Sequence, residues 1–224
     1  YFMMLTAQPT HAFDYDKVLA LAGKGEGRSE QGGVIQFAPR LARKGEKLAL
    51  LNGKTIELSE QDMVITANDR PIALAGIMGG SETEVDENTK NIVIECATFD
   101  MYRVRRMSMQ HGLFTDAVTR YTKGQSPLQN DKVLAKLVDE IVTFAGGKVA
   151  SQAYDLLSEK GAVSGEKIMT TVEFINSRLG SSLSAEQIKT LLENVEFDVE
   201  IVATHDSRLM TQDSEMLSIS SPFW

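Results

Sequence analysis

A single cysteine, Cys96, among 224 residues excludes an internal disulfide and any zinc site built from several cysteines. One thiol and no disulfide fit a reducing compartment. No apolar stretch approaches the ~18–20 residues that span a bilayer, so no membrane partner is expected. No basic residue precedes the short apolar run Tyr1 to Leu5, which therefore does not read as a secretory signal. Positive charge is also in short supply. Lys and Arg total 23 against 31 Asp and Glu, leaving a net charge of −8 and a pI near 5.0. Such a chain cannot coat nucleic acid by bulk charge, and any contact with it must come from a local patch. The three histidines stand at no metal-ligand spacing, and no metal is expected.

What remains is an ordinary globular composition, 42% hydrophobic and 24% charged, which excludes wholesale disorder. At roughly 150 residues per domain the length allows one large domain or two small ones. Residues 12–22 carry Phe13, Val18, Leu19 and Leu21 behind Asp14 and Asp16, which predicts a short helix with His11 in the loop before it. Residues 23–33 hold five glycines and no apolar side chain, and predict a loop. Strands are predicted over 34–38, around a hairpin turn at Asn52-Gly53, over 63–67, over 72–75 after a turn at 68–71, and over 91–97. Asp100 and Gly112 frame a helix, and 131–145 has helical spacing closed by Gly146-Gly147. The polar stretch 158–165 predicts a linker between a strand-rich mixed module, 1–157, and a small mainly helical one, 166–224. In that second module Ser184 to Gln187 forms a capping box ahead of Ile188, Leu191 and Leu192. Strands are also expected at 167–170 and 197–202. The fold class is α+β.

Few residues are placed to carry chemistry. Glu95 interrupts the apolar run Ile92-Val93-Ile94 and Cys96-Ala97, and alternation sets it on one strand face with Val93 and Ala97 while Cys96 joins Ile94 on the other. A carboxylate inside an apolar strand is costly unless something pairs with it. Glu95 therefore either caps a strand edge at the surface or faces a pocket and binds a polar group; Cys96 reads as packing. The glycines of Gly76-Ile77-Met78-Gly79-Gly80 follow a strand and either make a tight turn or bring backbone N–H groups up to a ligand. They form neither a P-loop nor a dinucleotide fingerprint. Arg103, Arg105, Arg106, Arg120 and Lys123 face one acid, Asp116, over 101–123, which is a solvated helix face or the local basic patch that an acidic chain would need. Thr115-Asp116-Ala117 offers a hydroxyl and a small side chain in a turn.

Four segments occur in a familiar order: Gln8-Pro9-Thr10-His11-Ala12-Phe13-Asp14, Ala73 through Gly80, Ile94-Glu95-Cys96-Ala97 with Phe99-Asp100, and Gly112-Leu113 with Thr115-Asp116-Ala117, Arg120 and Tyr121. Together they resemble the central editing domain of bacterial phenylalanyl-tRNA synthetase beta subunits. The region after the linker resembles the start of the small helical domain that follows in that subunit, through the helix-Gly-helix of 172–194 and Ser221-Pro222-Phe223-Trp224. The chain is therefore expected to be a piece of a longer protein.

The resemblance implies a hydrolase that clears tyrosyl-tRNA made in error. It implies Glu95 as acceptor for the tyrosine hydroxyl, Gly76, Gly79 and Ala117 as substrate-binding positions, and His11 and Thr115 as catalytic residues, His11 positioning the ester end or the water and Thr115 standing with Ala117 in the pocket wall. Arg103, Arg106, Arg120 and Lys123 become candidates for contact with tRNA(Phe). The full enzyme would be a cytoplasmic heterotetramer of two alpha and two beta subunits that uses ATP and Mg2+, with no cofactor in this part. A Thr-Asn pair that lies in the family just before the position of Tyr1 is not in the sequence. The family's Arg-Phe/Tyr-Glu-Arg-Gly-Val-Asp-Pro reads Arg120-Tyr121-Thr122-Lys123-Gly124-Gln125-Ser126-Pro127, so two acids are lost. The alternative reading is a structural and tRNA-docking module with a degenerate pocket.

Overall fold

The computed structural model describes residues 1–23, 35–156, 167–202 and 215–222. The linker expected at 158–165, the glycine-rich stretch beyond Gly23, His205 and Phe223-Trp224 lie outside the described residues. The chain divides into two compact units, Tyr1–Leu156 and Leu157–Trp224.

The first unit opens with a short helix α1 (Phe2–Thr6) where the sequence showed only an apolar run. The helix expected over 12–22 is shorter. Its first part is a strand, β1 (Thr10–Asp14), and helix α2 spans Tyr15–Ala22. The reason is local: Phe13 is buried in the ribbon opposite Val93, and the Asp14 carboxylate accepts the Lys17 N–H at 2.9 Å, which starts α2 only after Asp14. His11 is thus a strand residue, not a loop residue. β1 pairs antiparallel with the strand Ile92–Cys96 in a separate two-stranded ribbon.

Between those partners lie β2 (Phe37–Leu41), β3 (Lys47–Ala49), β4 (Thr55–Glu57), β5 (Met63–Ala67), β6 (Arg70–Leu74) and β7 (Met78–Gly79). The Ile92–Cys96 strand is then β8. The first strand of this set runs three residues later than the expected 34–38, and its Pro39 is tolerated because β2 is an edge strand in the order β2-β5-β6-β7. The turn between β5 and β6 is tighter than the four residues expected. Asn68 and Asp69 both take positive φ, 46° and 71°, as a two-residue hairpin requires, so Arg70 and Pro71 already belong to β6.

Helix α3 (Met101–His111) is capped by Asp100 and stopped by Gly112 in the left-handed region. The expected turn at Thr115 is instead the N-cap of a helix, α4 (Asp116–Tyr121). The long helix α5 spans Asn130–Ala145. Two apolar clusters form the core: Leu48, Leu50, Val64, Leu74, Val104, Met107, Val118 and Tyr121 in one, and Phe13, Val18, Ala67, Ile72 and Ala73 in the other. Met63 and Phe99 pack against both. Each fully buried aliphatic side chain contributes roughly 1.5–3 kcal/mol.

The second unit holds β9 (Ile168–Thr171), α6 (Val172–Leu179), α7 (Ala185–Glu193), β10 (Asp198–Val202) and β11 (Met216–Ser220). The capping box at Ser184 forms as expected. Beside its helices this unit carries a three-stranded antiparallel sheet, order β10-β11-β9, whose middle strand the sequence did not reveal. Ala185, Ile188, Val199, Leu217 and Ile219 make its core. An apolar groove of about 460 Å³ runs between its helices, lined by Phe174, Leu179, Leu183 and Leu191, with Arg178 its one charged side chain. It holds no acid–base pair.

Candidate functional site

The site begins with pairing register. Across the β1–β8 ribbon His11 stands opposite Glu95, and Phe13 opposite Val93. Residues directly opposite in an antiparallel pair project to one face, so His11 and Glu95 share a face. Register sets Glu95 on the His11 face of the ribbon, where it is half-buried. Its side chain keeps partial solvent access, yet burial pushes its carboxyl up to about 7. Among the described residues nothing donates a hydrogen bond or supplies an ion pair to that carboxylate.

Burial lowers the pKa of His11, which keeps the imidazole neutral at neutral pH. Its ring meets Phe13 edge-on with centroids 4.5 Å apart. Gly79, on β7, closes the other side. A Cβ there would lie 2.5 Å from His11 Cε1 and 2.6 Å from Nε2, and 3.2 Å from Leu51 Cδ1. Glycine at 79 is therefore what allows the histidine ring to lie against the strand.

Gly76 is a glycine for a different reason. Its φ is +71°, and a Cβ would lie 2.9 Å from Phe99 Cδ2 and 3.0 Å from Val104 Cγ2. It makes the turn between β6 and β7 and leaves room for core side chains. Thr115 uses its hydroxyl fully: it donates to the Ile77 carbonyl at 3.0 Å and accepts the Val118 N–H at 3.2 Å. These bonds tie the start of α4 to the glycine turn. Ala117, one residue into that helix, is half-buried against the core.

The basic residues divide. Arg103 is half-buried and donates to the Gln61 carbonyl at 3.3 Å, whereas Arg105, Arg106, Arg120 and Lys123 are exposed. Cys96 lies on the opposite face of the ribbon. Burial first, then Glu95 and Asp131, push its thiol up to about 11, so it is protonated and packs.

Sequence reasoning missed a buried polar chain beside the site. Gln8 and Gln129 are buried, and so is Tyr121. Gln8 Nε2 donates to the Ala97 carbonyl at 2.7 Å and to the Pro9 carbonyl at 3.1 Å, and Tyr121 donates to the Ala97 carbonyl at 3.0 Å. Gln8 and Tyr121 both lie in segments that carried the resemblance, which was the only signal available for them. Among the described residues no group of three or more His, Cys, Asp and Glu side chains is placed to hold a metal, and no helix is long and apolar enough to cross a membrane.

The geometry defines a mixed α+β domain with a neutral histidine and an unpartnered acid across one strand pair. Residues 1–146 match the family model described as the B3/4 domain, and the chain belongs to that family. The chain is also 33% identical over 227 residues to the phenylalanine–tRNA ligase beta subunit of Streptococcus thermophilus, covering 99% of this chain and 24% of the relative. Identity to the beta subunit of Synechocystis sp. is 33% over 201 residues, 87% of this chain and 24% of the relative. For Lactobacillus acidophilus the values are 35% over 205 residues, 89% and 23%. These relatives are subunits of an aminoacyl-tRNA synthetase, and the chain spans about a quarter of their length.

Proposed function

We propose that this chain is the editing part of a phenylalanine–tRNA ligase beta subunit, hydrolysing tyrosine wrongly esterified to tRNA(Phe). The observation that carries this reading is Glu95: a half-buried carboxylate, without a partner among the described residues, facing His11 across β1–β8. A pocket selecting phenylalanine rejects an added hydroxyl only weakly, whereas a site built to bind that hydroxyl rejects the analogue lacking it by roughly 10⁴-fold or more. Glu95 is suited to accept the tyrosine O–H. Phenylalanine would leave the carboxylate unpaired, a cost on the order of 1–3 kcal/mol.

The reaction needs no covalent nucleophile. Water attacks the ester carbonyl carbon, the acyl C–O bond to the ribose breaks, and the ribose oxygen takes a proton. A neutral His11 can accept a hydrogen bond from that water and orient it. Thr115 and Ala117 shape the wall through α4, and Gly79 keeps it open beside His11. Arg103, Arg106, Arg120 and Lys123 supply cations toward the tRNA backbone. The alpha subunit, ATP and Mg2+ would serve the charging reaction of the whole cytoplasmic enzyme.

The test is Glu95→Ala in the assembled alpha–beta ligase with tyrosyl-tRNA(Phe). Hydrolysis slowed about tenfold or more, with phenylalanylation intact, supports the reading. Undiminished hydrolysis removes Glu95 from the role.

A further inference from the structure

The ribbon that carries His11 and Glu95 is only two strands wide, and such ribbons are marginally stable without support. Its end pair, Thr10 opposite Cys96, is adjacent to the His11–Glu95 pair. Beyond that end the ladder cannot continue through Pro9, which lacks an N–H. The carbonyls of Pro9 and Ala97 would be left without partners at the place where fraying would begin.

Both carbonyls are taken up by side chains from outside the ribbon's regular pairing. Gln8 Nε2 donates one proton to each, at 3.1 and 2.7 Å, and the Tyr121 hydroxyl donates to the Ala97 carbonyl. Gln8 is held in turn. Its Oε1 accepts from Gln129 Nε2 at 2.8 Å, which fixes the amide so that its NH₂ faces the carbonyls. The second proton of Gln129 goes to Gln125 Oε1 at 3.0 Å.

We propose that Gln8, Tyr121 and Gln129 form a positioning clamp that locks the register of the β1–β8 ribbon and so keeps His11 and Glu95 on one face. The physical reason is the two-residue period of a strand: a slip by one residue would turn one of the two side chains to the opposite face and dismantle the pair. None of the three acts on substrate. The functional consequence rests on the reading given under Proposed function; the structural one does not.

Two measurements separate these. Amide hydrogen exchange is followed on the 224-residue chain carrying Tyr121→Phe, which deletes only the hydroxyl, Gln8→Leu, or Gln129→Leu as the mildest lesion should Gln8→Leu fail to fold. Tyrosyl-tRNA hydrolysis is followed in the assembled ligase with the same changes. Exchange in β1 and β8 is expected to rise roughly five- to tenfold, with β5 and β6 unchanged. The hydrolytic kcat is expected to fall on the order of tenfold or more, with KM for tyrosyl-tRNA held within about twofold. Unchanged ribbon exchange overturns the clamp. Faster exchange with unchanged kcat overturns its positioning role. If Glu95→Ala leaves hydrolysis intact, the editing reading falls, while the exchange result still decides whether the clamp sets the register.

Discussion

His11 and Glu95 face each other across the β1–β8 ribbon, and burial shifts their pKa values in opposite directions, the imidazole down and the carboxyl up. Both shifts favour the uncharged form. That is what burial does to an acid and a base alike, and it leaves a neutral nitrogen and an acid near its midpoint on one face of the ribbon.

The raised carboxyl has a sign that stability measurements can read. Its ordinary value is 4.5 and its folded value about 7, so the unfolded chain ionises first as pH rises. Folding stability is therefore lost between those values and stays lost above 7, by on the order of 1–3 kcal/mol. Glu95→Gln is expected to match the native protein near pH 4.5 and to be the more stable of the two above pH 7. Denaturant unfolding at both ends of that window checks it; equal stability throughout would show the carboxyl to be solvated.

The two glycines are expected to fail differently. Gly79→Ala would press its Cβ onto His11 Cε1 and displace the ring, a cost of about 1–3 kcal/mol with a changed imidazole NMR shift. Gly76→Ala adds an unfavourable positive φ to contacts with Phe99 and Val104, and its cost should be the larger, about 2–4 kcal/mol, with His11 unmoved. Thermal unfolding and histidine NMR separate the cases; a displaced His11 in Gly76→Ala would contradict them.

Thr115 is expected to act through helix placement. Thr115→Ala removes the cap bond from Val118 and the tertiary bond to the Ile77 carbonyl, and should cost about 1–2 kcal/mol. Thr115→Ser keeps the hydroxyl and should preserve stability and hydrolysis alike. Full hydrolysis by a destabilised Thr115→Ala would separate the cap from the site.

How much of this was legible depended on range. The limits of α3 were readable from Asp100 and Gly112, and the start of α7 from Ser184 and Gln187, because capping is decided within a few residues. The strand Ile92–Cys96 showed as a short apolar run, and Glu95 as the residue that interrupts it. β1 was concealed because Thr10–Asp14 is short and runs straight into a helix, so its apolar residues merged with the helical ones. The clamp was illegible for a stronger reason: Gln8 lies 89 positions from Ala97 and 121 from Gln129, and no local pattern encodes such a bond. The resemblance named Gly76 and Gly79 together, whereas the structure gives them separate reasons, one a turn and the other a histidine ring.

The most direct test of the central claim is a structure of the protein with a non-hydrolysable tyrosyl-adenosine analogue. The phenol oxygen is expected within about 3 Å of a Glu95 carboxylate oxygen, with the acyl end toward His11. A phenol bound away from Glu95, or an analogue seated elsewhere on the chain, would contradict it.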